Sequence, residues 1–170
     1  QRDTLTKFGL TSGNYGLVTL HRPSNVDDPG MLLRIVNTLA EISHDLPLIF
    51  PIHPRTRQRL KDAGDDLSKG NIQLVEPQGY LDFLALQKYA KVVLTDSGGV
   101  QEETTYLGVP CLTLRENTER PITVTVGTNK LIGTNMDLLK EEVVRLLAGH
   151  GKAGEIPPLW DGNASARIAR

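Results

Sequence analysis

The sequence predicts an α/β fold, a doubly wound, Rossmann-like domain with a mainly parallel sheet. Three observations carry this. Short, continuous apolar runs alternate with longer segments whose apolar residues recur at helical spacing, the pattern of strands buried on both faces by covering helices. Polar and glycine-containing stretches follow those runs, where doubly wound folds place their ligands. The length of 170 residues suits one compact domain, so residues 1–170 are read as a single unit.

Taken in order, Tyr15 to Leu20 reads as the first strand. Asp28 is the expected N-cap of the next helix, with Pro29 in its first turn. Leu32, Leu33, Ile35, Val36, Leu39, Ala40 and Ile42 give that helix a broad apolar face. Pro47 ends it, and Leu48 to Ile52 is the second strand. Arg55 to Ala63 is a basic helix closing near Gly64, and Ile72 to Val75 the third strand. Leu81 to Ala90 is a short helix with Leu81, Leu84, Ala85 and Tyr89 on one side. Val92 to Thr95 is the fourth strand. Gly99 to Leu107 is a helix stopped by Gly108, Pro110 to Leu114 the fifth strand, and Lys130 to Ile132 a weak sixth. Met136 to Leu147 is the last clear helix, and Glu155 to Arg170 reads as a tail laid over the surface.

Hydrophobic residues make up 39% and charged residues 23%, an ordinary globular composition. A net charge of -1 leaves no electrostatic footprint for nucleic acid, and no basic run suggests a membrane surface. Any anion must therefore be held by a local site. The apolar runs fall short of a membrane span, and the N-terminus has no signal-peptide core. Cys111 is the single cysteine, so no internal disulfide can form, and a cytoplasmic, reducing setting is expected. Within Pro110-Cys111-Leu112-Thr113-Leu114 it reads as a packing residue. The chain starts at Gln1 without an initiator methionine, which suggests a fragment.

The strongest local signal is Leu94-Thr95-Asp96-Ser97-Gly98-Gly99-Val100-Gln101-Glu102-Glu103. A strand runs into a Gly-Gly turn and straight into a helix. Glycines let the backbone approach a ligand and adopt positive φ. The first N–H groups of the helix lack internal partners and, with the dipole, form an anion seat. The bland alternative is a plain connection with Ser97 as N-cap. Glu103 lies far enough along to pass the phosphates and reach ribose hydroxyls, or it simply favours the helix dipole.

Four further strand-end loops are polar. His21-Arg22 follows the first strand, where an imidazole and a permanent cation suit phosphate contact or proton transfer. His53-Pro54-Arg55 follows the second; it is a ligand edge or a solvated helix start with Thr56 and Arg57 facing water. Phe83, after the third, is a base-stacking aromatic or a core filler. Glu119-Arg120, after the fifth, contact substrate or merely pair with each other. No zinc spacing, acidic metal cluster or nucleophile elbow appears, so neither metal nor cofactor is expected.

Thr19-Leu20-His21-Arg22, Phe50 to Arg55, Pro77 to Phe83, Thr95 to Glu103, Leu107 to Pro110 and Asn117 to Pro121 together resemble the UDP-N-acetylglucosamine 2-epimerases. Trp160-Asp161-Gly162 and Arg167-Ile168-Ala169 resemble the family's C-terminal end, so the likeness runs from about Tyr15 to Arg170. It implies one half of a GT-B-type architecture, the UDP-binding C-terminal domain, with the N-terminal domain absent from this chain and a homodimeric whole enzyme. It implies that Ser97, Gly98 and Gly99 bind the diphosphate and Glu103 the ribose. Phe83 would lie at the uracil and Arg120 on the sugar-phosphate side, with Arg22 as a further substrate contact. His21 would be catalytic, beside the diphosphate and sugar. The implied reaction interconverts UDP-GlcNAc and UDP-ManNAc by elimination and re-addition of UDP. A UDP-sugar glycosyltransferase half and a UDP-binding module without catalysis are the alternatives. Two departures stand out. His21-Arg22-Pro23-Ser24 replaces a His-Arg-Arg-Glu form, which puts a charge-pair role there in doubt. His53-Pro54-Arg55 replaces the His-x-Asn-Pro of members with a regulatory substrate site, so weak or absent substrate regulation is expected.

Overall fold

The computed structural model describes residues 2–64 and 70–169. Among them, β1 (Gly16–Thr19), β2 (Leu48–Pro51), β3 (Ile72–Val75), β4 (Val92–Thr95), β5 (Cys111–Thr113) and β6 (Asn129–Leu131) form one sheet. Every pairing is parallel, in the order β3-β2-β1-β4-β5-β6. That order reverses direction between β1 and β4, which opens the crevice where such folds bind ligands.

Side chains alternate between the faces along each strand, and the inner strands β1, β2, β4 and β5 are covered on both sides. Leu17 pairs with Ile49 and Val93, and Val93 with Cys111, giving one buried row. Val18, Leu94 and Leu112 form a row on the opposite face. The Val18 face packs against α3 (Pro29–Ile42), α4 (Pro54–Asp62) and α8 (Met136–Leu147) through Leu32, Ile35, Leu39, Leu60, Leu139 and Val143. The Leu17 face packs against α1 (Arg2–Lys7), α5 (Tyr80–Lys88) and α6 (Gly98–Leu107) through Leu5, Leu86 and Val100. Short helices α2 (Pro23–Val26), α7 (Pro121–Thr125) and α9 (Ala164–Ile168) complete the chain.

The expected end signals are present. Asp28 Oδ1 accepts from Met31 N at 2.6 Å with Pro29 in the first turn, satisfying one orphan donor. Gly108 closes α6 in the left-handed region at φ 70°, where a side chain is strained. Other expectations need correction. Leu81 is 78% exposed, while Leu86 is fully buried, so the row of apolar residues that begins at Leu81 is not the buried face of α5 (Tyr80–Lys88). The terminal tail contains α9. Helix α1 has no counterpart in the sequence reading; it is short and docks through Leu5 against the Leu17 face.

Candidate functional site

The site is built where β1 and β4 end side by side. Asp96 directly follows β4 and is fully buried. A buried carboxylate is costly unless donors surround it. Here it accepts from His21 N at 3.1 Å, Arg22 N at 3.0 Å and Asn25 Nδ2 at 3.0 Å. Asn25 also donates to Leu114 O at 3.0 Å, so the ends of β1, β4 and β5 are tied together. Asp96 therefore points inward and organises the loop rather than lining the turn. Sequence reasoning missed Asn25. Asn25 lies within the polar Pro23-Ser24-Asn25 run, and its burial at 3% exposure carries no local signal.

His21 Nδ1 lies 3.0 Å from Asp96 Oδ1, while its side chain is 54% exposed. An ionised carboxylate only accepts, so Nδ1 carries the proton and Nε2 remains for a ligand. Arg22 leaves the same loop. Its Nε is buried with no partner among the described residues, and its Nη2 lies 4.0 Å from Glu119.

Across the crevice, α6 begins at Gly98. Ser97 stands at the N-cap position, but its side chain makes no capping bond; its backbone N–H donates instead to Thr95 Oγ1 at 3.0 Å. The hydroxyl and the first helical amides are thus left for an anion. Neither Gly98 nor Gly99 has positive φ, so the expectation of left-handed backbone is not met. What the glycines provide is approach. A side chain at Gly99 would meet nothing within 4 Å, and one at Gly98 only Glu119 Oε2 at 3.8 Å, so the space beside the helix start is open and a side chain there would occupy it.

Glu119 and Arg120 do not pair through their side chains. Arg115 holds Glu119 through two bonds, of 2.8 and 2.7 Å. These bonds, more than any other influence, pull the Glu119 carboxyl down to about 2. A fixed negative charge therefore sits beside Gly98. Arg120 Nε instead reaches Glu102 Oε1 at 2.9 Å, which joins the loop after β5 to α6.

Further along α6, Glu103 accepts from Gln87 Nε2 at 2.6 Å. It lines a cleft of about 480 Å³ with Tyr80, Leu84, Glu102, Tyr106, Leu107 and Trp160. Phe83 is half-buried against the Leu17-face core, which supports its core-filling reading and does not bring it into this cleft. Gln87 and Tyr80 were not singled out in the sequence. Gln87 is a polar residue on the inner side of an apolar helix, the one local clue to it.

The loop after β2 is a helix start. His53 Nδ1 accepts from Arg55 N at 3.2 Å and caps α4, and Arg55 binds Asp27 at 3.0 Å. Thr56 is buried, 3% exposed, contrary to the expectation that it faces water; Arg57 pairs with Glu76 at 3.3 Å. Cys111 is fully buried, and burial pushes its thiol up to about 11. Among the described residues no group of acidic, histidine or cysteine side chains could hold a metal ion. No helix among them is long and apolar enough to cross a membrane.

The family model described as UDP-N-acetylglucosamine 2-epimerase matches residues 1–170, so the likeness extends ahead of Tyr15. The UDP-N-acetylglucosamine 2-epimerase of Methanocaldococcus jannaschii is 49% identical over 162 residues, covering 92% of this chain and 44% of that protein. The UDP-2,3-diacetamido-2,3-dideoxy-D-glucuronate 2-epimerase of Pseudomonas aeruginosa is 40% identical over 171 residues, covering 99% of this chain and 47% of that one. A crystal structure of the M. jannaschii UDP-GlcNAc 2-epimerase in complex with UDP-GlcNAc and UDP matches at TM-score 0.85 and 43% identity, over 100% of this chain and 48% of that one. The chain thus spans about half the length of these relatives.

Proposed function

The chain belongs to the UDP-N-acetylglucosamine 2-epimerase family, and on that premise we propose that it is the UDP-binding half of an enzyme interconverting UDP-GlcNAc and UDP-ManNAc. The observation that carries this is the start of α6 at the β1/β4 switch point. There the Ser97 hydroxyl makes no cap bond, and the helix opens on Gly98 and Gly99, whose missing side chains leave open space beside the first turn. Such a seat suits a diphosphate, whose charge the helix dipole favours.

The proton on C2 of the sugar is not acidic, since no carbonyl is adjacent. The proposed route breaks C2–H and C1–O, forms the C1=C2 bond of 2-acetamidoglucal and releases UDP, which then adds back with protonation of the other face. The task of this half is to stabilise the leaving diphosphate. Ser97, Gly98, Gly99, Arg22 and Arg120 bind it, and His21, oriented by Asp96, directs Nε2 to the departing oxygen. Donors placed in advance where charge develops are the strongest kind of catalytic contribution. Glu103 takes the ribose. The groups that move the C2 proton belong to the other half of the polypeptide. The P. aeruginosa relative acts, by its name, on a different UDP-linked sugar, which favours a second reading in which the same UDP seat serves another 2-acetamido sugar.

Calorimetric titration with UDP tests the seat. Binding is expected, and Ser97→Ala should weaken it about tenfold without changing the melting temperature, since Ser97 makes no cap bond. A folded protein that takes up no UDP overturns the reading.

A further inference from the structure

Glu103 is held from behind. Gln87 is fully buried, and its Nε2 donates to Glu103 Oε2 at 2.6 Å, while its Oε1 has no partner among the described residues. A carboxylate cannot donate, so the amide nitrogen must face Glu103 and the orientation of Gln87 is fixed. Tyr80 lies on the same α5 stripe, since Tyr80, Leu84 and Gln87 are spaced i, i+4, i+7. It lines the cleft beside Glu103. The nearby carboxylate raises the Tyr80 phenol above its ordinary range, through charge first and through a hydrogen bond as well. The phenol is therefore a neutral donor at neutral pH.

We propose that Gln87 and Tyr80 are positioning residues that lock the Glu103 carboxylate for the paired hydroxyls of a ribose. The proposal rests on the reading that Glu103 takes the ribose. A carboxylate in the second turn of α6 would be driven off by a diphosphate seated at the helix start, and it has several rotamers in which to retreat. A charge-assisted bond to a buried amide removes that freedom. Oε2 faces α5, and the remaining acceptor sites stay available to the diol.

The experiment measures the affinity of the purified protein for UDP and for a dideoxy-UDP lacking both ribose hydroxyls. The unmodified protein prefers UDP. Gln87→Met and Tyr80→Phe each cut that preference by about three- to tenfold, weakening UDP while leaving the dideoxy compound unchanged. A merely structural role for the α5–α6 contact would weaken both ligands alike. Tyr80 is 64% exposed, so its variant folds even if the Gln87 variant does not. If both folded variants, or Tyr80→Phe alone where Gln87→Met does not fold, keep the full preference, the positioning role is wrong and the ribose reading stands. If Glu103→Gln also keeps it, or the unmodified protein shows no preference, the ribose reading falls and takes the proposal with it.

Discussion

The two faces of the sheet are filled by different chemistry. Beneath α3 and α8 the interior is aliphatic, with Leu32, Ile35, Leu39, Leu139 and Val143 closing over Val18, Leu94 and Leu112. Beneath α6 and α7, at the β4–β6 end of the other face, it is polar. Gln101, Thr104, Thr105, Thr113, Thr123 and Asn129 are all essentially inaccessible. Gln101 Oε1 accepts from Thr118 Oγ1 at 2.6 Å and from Asn129 Nδ2 at 3.1 Å. Thr113 Oγ1 donates to Asn129 Oδ1 at 2.6 Å, and Asn129 Nδ2 reaches Thr123 Oγ1 at 3.2 Å. Apolar packing is non-directional and fixes a helix by volume. Hydrogen bonds fix angle and register as well. The polar face is the one that carries the start of α6 and, through Thr118, the loop of Glu119 and Arg120. Directional contacts are spent where a ligand must be met at a set distance.

The contrast breaks if mutations on the two faces act alike. Leu139→Ala opens a cavity under α8 and should cost about 2–5 kcal/mol of unfolding free energy in urea, with the UDP affinity of the folded protein unchanged. Gln101→Leu leaves Thr118 and Asn129 donors unmatched and should cost less, about 1–3 kcal/mol, yet weaken UDP binding because the Thr118 loop is released. Equal effects of the two on affinity would show that the polar network positions nothing.

Glu119→Gln sharpens the picture at the seat itself. Removing the charge beside Gly98 should tighten UDP binding by about two- to fivefold. The Glu119 carboxyl is lowered to about 2, so it stays charged until the pH falls that far. The ratio of variant to unmodified affinity should therefore be flat between about pH 5 and 8, and a gain that vanishes as the pH drops to about 5 would contradict this. The smallest effect is expected at Cys111. Buried and with its thiol raised to about 11, it should resist a thiol reagent at about pH 8 until the protein unfolds; labelling in the native state would show that the core beneath α6 opens.

The alternation that built the fold was readable because burial on both faces leaves continuous apolar runs, and helix ends announce themselves through residues such as Asp28 and Gly108. In α5 the apolar row that begins at Leu81 is not the buried face, which holds Ala85, Leu86 and Gln87; spacing reports a stripe but not which side of the helix meets the sheet. Of the two readings of Glu119 and Arg120, pairing with each other is the one the structure removes, because Arg115 and Glu102 are the partners in reach.

The sequence alone determined the parallel α/β class, the strand ends that carry polar loops, and the glycine turn that opens α6, since each depends on local spacing. Only the tertiary structure decided that Asp96 turns inward to hold His21 and Arg22, 75 and 74 residues away. It likewise decided that Asn25 reaches Leu114 across 89 residues and that Gln87 grips Glu103. Periodicity reports that an element has an apolar stripe. It carries no record of which distant side chain will meet it there, because that depends on how the strands are ordered in the sheet.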